Sequence, residues 1–311
     1  MKYKIGTRGS QLSLAQTNWV ISELKKVNPG IDFEIITIRT KGDNDARPLF
    51  TMDQKGIFEK EIDKAVSEKK VDFAVHSLKD VPSELGPNLS LGCIPLREAI
   101  NDVFISADCS TLETIKAGAV IGTSSLRRAV QVSRLRSDVI VKPIRGNVES
   151  RVKKIKTDAY DAVVLAQAGI NRLGLDVKVS KLSTIDFPPS PGQGALGIVS
   201  RSDDIQTNSL LKKIEDVNSR IEIEAERALS KFVESGCRFP VGAFAKLNGQ
   251  NLKLTVAVYS IDGKKSIIIE KNGNKNDPVS LGRIVGEELK NQGVSDLAIN
   301  WREKVEEWNK K

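Results

Sequence analysis

The stretch AVIGTSSLRRAVQVSRLRSDVIVKPIRGNVESRVKKIKTDAYDAVVLA, residues 119–166, decides the fold. Three short β-branched runs, AVIGT, VIVKPI and DAVVLA, alternate in it with two amphipathic stretches, SSLRRAVQVSRLR and VESRVKKIK. Such alternation builds βα units on a largely parallel sheet, so the class is α/β. Upstream, NDVFIS opens this block near Asn101. Before it, YKIGT reads as a first strand. Leu12, Ala15, Trp19 and Leu24 then mark one face of a helix that ends before Pro29-Gly30. FEIITIRT is a second strand, Ile57 to Val66 keep helical spacing, and VDFAVHS is a buried strand delivering SLKDVP at its C-terminal end, where α/β proteins bind ligands.

Downstream, DFPPSPGQGALGIVS carries three prolines and three glycines around an apolar run and reads as a crossover back to the first block. A helix from Asn218 follows, with Ile221, Ala225, Ala228, Leu229 and Phe232 on one face. Asn248-Gly249, Asp262-Gly263 and Asn272-Gly273 then punctuate alternating runs such as LKLTVAVYS, as hairpin turns do. Helical GRIVGEELKNQG completes a small third α/β domain with an antiparallel sheet. The expected division is domain 1 over 1–97 and 196–215, domain 2 over 98–195 and domain 3 over 216–311.

Lys and Arg number 48 against 40 Asp and Glu in 311 residues, a net charge of +8. Residues 122–156 hold ten basic side chains and only Asp138 and Glu149, so this one segment carries the whole surplus. With His76 as the only histidine, a metal site would need mostly carboxylate or cysteine ligands, and none is expected. Cys93, Cys109 and Cys237 are odd in number and widely spaced, which gives no disulfide framework and fits a reducing cytoplasm. No window reads as a signal segment or a membrane span, so no membrane partner is expected.

GTSSLRR places Thr123, Ser124 and Ser125 at a strand-to-helix junction, where first-turn N–H groups and the helix dipole favour an anion. Arg127 and Arg128 follow, with planar guanidiniums that hold carboxylates bidentately. RGNVESR repeats the arrangement one unit later with Arg145, Gly146, Asn147 and Arg151, and GTRGS adds Arg8 and Ser10. Two adjacent junctions of one kind suggest an extended polyanion site. An ordinary capped helix with solvated charge is the plainer alternative. Nucleic acid is disfavoured because aromatics are 5% of the chain and do not interleave the basic segment. HSLKD supplies Ser77, Lys79 and Asp80. A carboxylate facing such a cationic surface could shuttle a proton or stabilise a developing cation, or could merely pair Lys79 or cap a turn. His76 reads as a satisfied buried histidine, Cys93 as an inert core residue, and Cys237, between Gly236 and Arg238, as a thiol able to ionise.

The set GTRGS, QKGIFEKE, VHSLKDVP, IGTSSLRR, IRGNVESR, LAQAGINRLG, PGQGALGI and ESGCRFPVGA resembles the hydroxymethylbilane synthase, or porphobilinogen deaminase, family in order and over essentially the whole chain. The resemblance implies two periplasmic-binding-protein-like α/β domains with a double crossover and a small third domain. It implies a transferase of tetrapyrrole and heme biosynthesis that condenses four porphobilinogens head to tail onto a dipyrromethane cofactor, releasing ammonia at each step and then the linear tetrapyrrole hydroxymethylbilane. That cofactor hangs by a thioether from the cysteine matching Cys237, and the catalytic aspartate matches Asp80, with Lys79 beside it. Ser77, Lys79, Asp80, Thr123, Ser124, Ser125, Arg127, Arg128, Arg145, Gly146, Asn147 and Gln193 match residues around the cofactor. Arg8, Ser10, Lys55, Arg145, Arg151 and Arg172 match residues that meet substrate. A monomer is implied. The chain departs from the family at Thr51, where a lysine is usual, and at Arg238-Phe239-Pro240, where Gln-Val-Pro is frequent. A non-catalytic polycarboxylate-binding protein of periplasmic-binding type is the runner-up.

Overall fold

The computed structural model describes residues 2–40, 59–157, 160–234, 240–299, 303 and 306. Lys55, Thr51, Cys237, Arg238 and Phe239 lie outside the described residues. The chain divides into two compact units, one holding the described residues up to Glu98 with Gly192–Arg220, the other Ala99–Pro191 with the described residues from Ile221 onward.

In the first unit, β1 (Lys2–Thr7), β2 (Asp32–Thr37), β3 (Phe73–Ser77), β4 (Leu89–Cys93) and β10 (Leu196–Arg201) form a sheet in the order β2-β1-β3-β10-β4. β1 pairs parallel with β2 and β3, while β10 runs antiparallel between β3 and β4. α1 (Gln11–Val27), α2 (Lys60–Ser67) and, later in the chain, α6 (Ile205–Leu211) cover its faces. Val20 and Leu24 of α1 join Ile5, Phe73 and Ile198 in one core, and Ile62 and Val66 of α2 join Val71 and Ala74 in another.

The second unit repeats this plan. β5 (Asp102–Ser106), β6 (Val120–Gly122), β7 (Ile140–Lys142), β8 (Ala162–Ala166) and β9 (Ser180–Lys181) take the order β7-β6-β8-β5-β9. Again one strand, here β5, runs against its neighbours β8 and β9. α3 (Leu126–Leu135) and α4 (Val148–Thr157) follow β6 and β7, and α5 (Gln167–Leu173) follows β8. Because β10 belongs to the first sheet but comes after the second in sequence, the chain crosses twice, as DFPPSPGQGALGIVS led us to expect.

α7 (Val217–Glu234) precedes an antiparallel sheet of β11 (Val241–Asn248), β12 (Asn251–Tyr259) and β13 (Ser266–Asn274), and α8 (Pro278–Asn291) packs on it. The turns are those of Asn248-Gly249 and Asp262-Gly263, with Gly249 and Gly263 at φ 62 and 70. Asn272-Gly273, expected as a third turn, lies inside β13 instead. A Cβ on Gly273 would meet Leu281 of α8 at 3.1 Å, so that glycine serves a close helix approach. This sheet is joined to the second one through α3: Arg134 donates to the Gly263 carbonyl (2.6 Å) and lies over the Tyr259 ring, and Ala243 N–H donates to Pro189 O (2.8 Å).

Candidate functional site

β3 is fully apolar up to His76 because both its faces are covered, and it ends in a single 3-10 turn, Leu78–Asp80. Leu78 is buried, which turns Lys79 and Asp80 outward. The PGQG segment holds this turn from behind. Gly192 has φ +74, and a Cβ there would stand 3.1 Å from Lys79 N, so the position needs glycine on both counts. Ala195 O accepts from Leu78 N–H (3.0 Å), and buried Gln193 accepts from Lys79 Nζ (3.4 Å) while its carbonyl takes Arg97 Nε (2.9 Å). Asp80 is exposed at the end of this turn. Ser77 accepts from buried Gln16 (2.8 Å). Ser10 caps α1, accepting from Ser13 N–H (3.2 Å), and half-buried Arg8 precedes it.

His76 is buried, with Nε2 3.1 Å from Asp63 Oδ1, the satisfied core histidine expected from sequence. Asp63 belongs to α2, whose residue before the first turn, Glu59, was not singled out by the sequence. Glu59 is 2% exposed, its side chain does not cap the helix, and its Oε2 is buried with no hydrogen-bond partner among the described residues. Burial first, then the charges of Asp80 and Asp63, push its carboxyl up to about 8 against the pull of Arg8. A helical pattern such as EKEIDK shows a glutamate but not that its side chain is enclosed.

The cationic residues gather in the second unit. Ser125 is the N-cap of α3, accepting from Arg128 N–H (3.4 Å), Thr123 Oγ1 accepts from Ser125 N–H (3.2 Å), and Ser124 Oγ donates to Ile144 O. The hydroxyls of this junction are therefore engaged in shaping it. Arg127 and Arg128 are buried, each 6% exposed, and grip one carboxylate from both sides: Arg127 Nη2 donates to Asp102 Oδ2 (2.8 Å), Arg128 Nη2 and Nε to Asp102 Oδ1 (2.7 and 3.0 Å). Arg127 also donates to Gln131 and to Pro188 O (2.9 and 2.7 Å), and Arg128 to Val164 O (3.2 Å). Asp102 is fully buried. Desolvation alone would raise its carboxyl, but the two guanidiniums outweigh it and hold it at about 2. The sequence showed two arginines able to hold a carboxylate. It did not show that β5 brings one from within the chain.

One carboxylate offsets only one of two guanidinium charges, so the triad keeps a positive charge. The next junction adds more. Gly146 has φ +117 and Asn147 Oδ1 accepts from Ser150 N–H (2.8 Å), opening α4. Arg151 Nε donates to Gly146 O (2.8 Å) and makes no ion pair with a described residue. Burial, then the charges of Arg128 and Arg145, lower its guanidinium to about 10. Arg128, Arg145 and Arg151 thus share one environment, with Arg172 half-buried at the end of α5. No group of three metal-ligating side chains occurs among the described residues, and no described helix is long and apolar enough to cross a membrane.

Residues 3–209 match the model of the porphobilinogen deaminase dipyrromethane cofactor-binding domain, and residues 220–291 that of the porphobilinogen deaminase C-terminal domain. The probable porphobilinogen deaminase of Nitrosopumilus maritimus (strain SCM1) is 69% identical over 100% of both chains. The porphobilinogen deaminases of Alkaliphilus metalliredigens (strain QYMF) and Brevibacillus brevis are 45% and 41% identical, covering 94% and 95% of this chain and 94% and 96% of theirs. Two consecutive domain models and relatives matched end to end show that the chain belongs to the porphobilinogen deaminase family.

Proposed function

We propose that this transferase condenses four porphobilinogen molecules head to tail into hydroxymethylbilane, and that the positive cluster of the second unit holds the growing polycarboxylate. The carrying observation is the gathering of cationic side chains there: Arg127 and Arg128 share the one carboxylate of Asp102, and Arg128 and Arg145 lie close enough to Arg151 to lower its guanidinium. Each pyrrole of the substrate brings an acetate and a propionate, so every added ring supplies the charge that the cluster lacks. The runner-up, a non-catalytic anion binder, explains this cluster but not Asp80.

A dipyrromethane fits the same donor set, because its four carboxylates match an array of guanidiniums and helix N-termini rather than a metal cage. When bound, it supplies the nucleophilic pyrrole carbon that primes the chain. Cys237 is the residue we assign to its thioether. Arg127, Arg128, Thr123, Ser124, Ser125, Arg145, Gly146, Asn147, Gln193, Ser77 and Lys79 are assigned to its surroundings, the two buried arginines by fixing the junction and its surplus charge. Arg8, Ser10, Lys55, Arg145, Arg151 and Arg172 are assigned to substrate carboxylates.

Asp80 is assigned the chemistry. Its exposed carboxylate can accept a hydrogen bond from the substrate's ammonium nitrogen as ammonia leaves and can offset the positive charge left on the pyrrole. The turn that carries it is fixed by Gly192 and Gln193, so little reorganisation is needed. Three domains are proposed, 1–97 with 196–215, 98–195 and 216–311, the last supported by a core of its own under α7 and α8. The enzyme is placed in the cytoplasm as a monomer that binds neither nucleic acid nor membrane.

Incubation of the purified protein with porphobilinogen should release four ammonia molecules per hydroxymethylbilane, and Asp80→Asn should fold normally while losing nearly all turnover. Binding of porphobilinogen without consumption would favour the anion binder. Wild-type turnover in Asp80→Asn would remove that residue from the mechanism.

A further inference from the structure

Glu59 of the first unit is an acidic residue closed off from solvent, at 2% exposed. It precedes α2, its carbonyl accepts from Asp63 N–H one turn later (2.8 Å), and Asp63 in turn meets His76 (3.1 Å) on β3, the strand followed by the turn that ends at Asp80. Packed side by side in this way, α2 and β3 place an enclosed carboxyl, a half-enclosed one and the exposed Asp80 within electrostatic reach of one another. The side chain makes no cap bond, and Oε2 has no hydrogen-bond partner among the described residues.

We propose that Glu59 is a positioning residue that acts through Asp80, keeping its own proton so that no further negative charge is added beside Asp80. This rests on the assignment of Asp80 above and extends it. An enclosed carboxyl with an orphaned oxygen cannot ionise cheaply, and a further negative charge beside Asp80 would change the field at the atoms on which Asp80 acts. The charged groups around Glu59 are mixed. Arg8 favours its ionisation; Asp80 and Asp63 oppose it. Lys60, Lys64 and Glu84 line the same surface cavity as Glu59, Glu61 lies on its helix with a buried oxygen, and His76 is engaged by Asp63. Solvent-facing lysines are screened, so the enclosed acids and Arg8 set the balance.

The test is a titration of the holoenzyme labelled with ¹³C at the glutamate carboxyls. One resonance, identified by its absence in Glu59→Gln, should titrate with a midpoint near 8, and that midpoint should fall in Asp80→Asn, where one opposing charge is gone. A midpoint in the ordinary carboxylate range, or one indifferent to Asp80→Asn, overturns the coupling. Asp80 is exposed, so Asp80→Asn leaves the fold intact, and Glu59→Gln enters this arm only to assign the resonance. The second readout is the ratio of kcat at pH 9 to kcat at pH 7. Ionisation of a group with a midpoint near 8 lowers this ratio about tenfold in the wild type, and Glu59→Gln should abolish that drop with KM unmoved. An equal drop in both proteins overturns the positioning role. Absence of any porphobilinogen turnover would overturn the enzyme assignment while leaving the titration result to stand by itself.

Discussion

Two enclosed carboxyls in this molecule carry opposite protonation. Asp102 of the second unit and Glu59 of the first are both almost inaccessible, yet one is held at about 2 and the other pushed to about 8. Burial acts on both in the same direction. The difference is made by neighbours: Asp102 sits between two guanidiniums, whereas Glu59 has Asp63 and Asp80 near it and only Arg8 in opposition. The lesson extends to the units they occupy. The second unit gathers arginines and sets one acid, Asp102, between two of them. The first concentrates acid around the turn that bears Asp80.

The contrast breaks most visibly at Asp102. Asp102→Ala leaves two buried guanidiniums without their carboxylate and should cost about 3–5 kcal/mol in urea unfolding, or abolish folding. A cost below about 1 kcal/mol would mean that the triad is not a structural unit. Glu59→Gln should act with the opposite sign. A group whose folded value lies above its unfolded one subtracts stability as pH rises from the unfolded value, about 4.5, toward the folded value, about 8. The variant should therefore be more stable than the wild type by up to about 3 kcal/mol at pH 7 and no more stable at pH 4. A constant difference across that range would show that Glu59 is ionised in the folded enzyme.

Arg151→Leu separates holding the fold from holding a ligand. Having no ion partner among the described residues, it should change stability by less than about 1 kcal/mol. It should weaken use of porphobilinogen about 10- to 100-fold in kcat/KM, as loss of one charged hydrogen bond does. Unchanged kinetics would remove Arg151 from the carboxylate site. The smallest effect expected is in acid. Asp102 lies below its unfolded value, so its contribution is complete above about 3.8 and is lost as pH falls to about 2. Over that interval the wild type should lose about 2 kcal/mol of stability that Asp102→Asn never has.

Much of the site was legible because its signals are local. Ser125 caps α3, Asn147 opens α4 and Gly192 admits the Lys79 backbone, each within the motif that announced it or one strand away. What the sequence hid depends on distant pairing. Asp102 lies 25 and 26 residues from Arg127 and Arg128, and only the antiparallel setting of β5 against β8 brings it beneath α3. Glu59 hid for another reason: an amphipathic pattern assigns faces to a helix, and the residue before the first turn belongs to none. Gly273 reads as a turn because Asn-Gly usually is one, and becomes a strand residue because Leu281 needs its missing side chain.

Intact mass of the purified, active enzyme addresses the covalently primed growth of a polycarboxylate most directly. The predicted spectrum shows the chain plus two pyrrole units, absent in Cys237→Ala, and equal further increments when porphobilinogen is limiting. Active enzyme at the unmodified chain mass, with no increments on substrate, would contradict it.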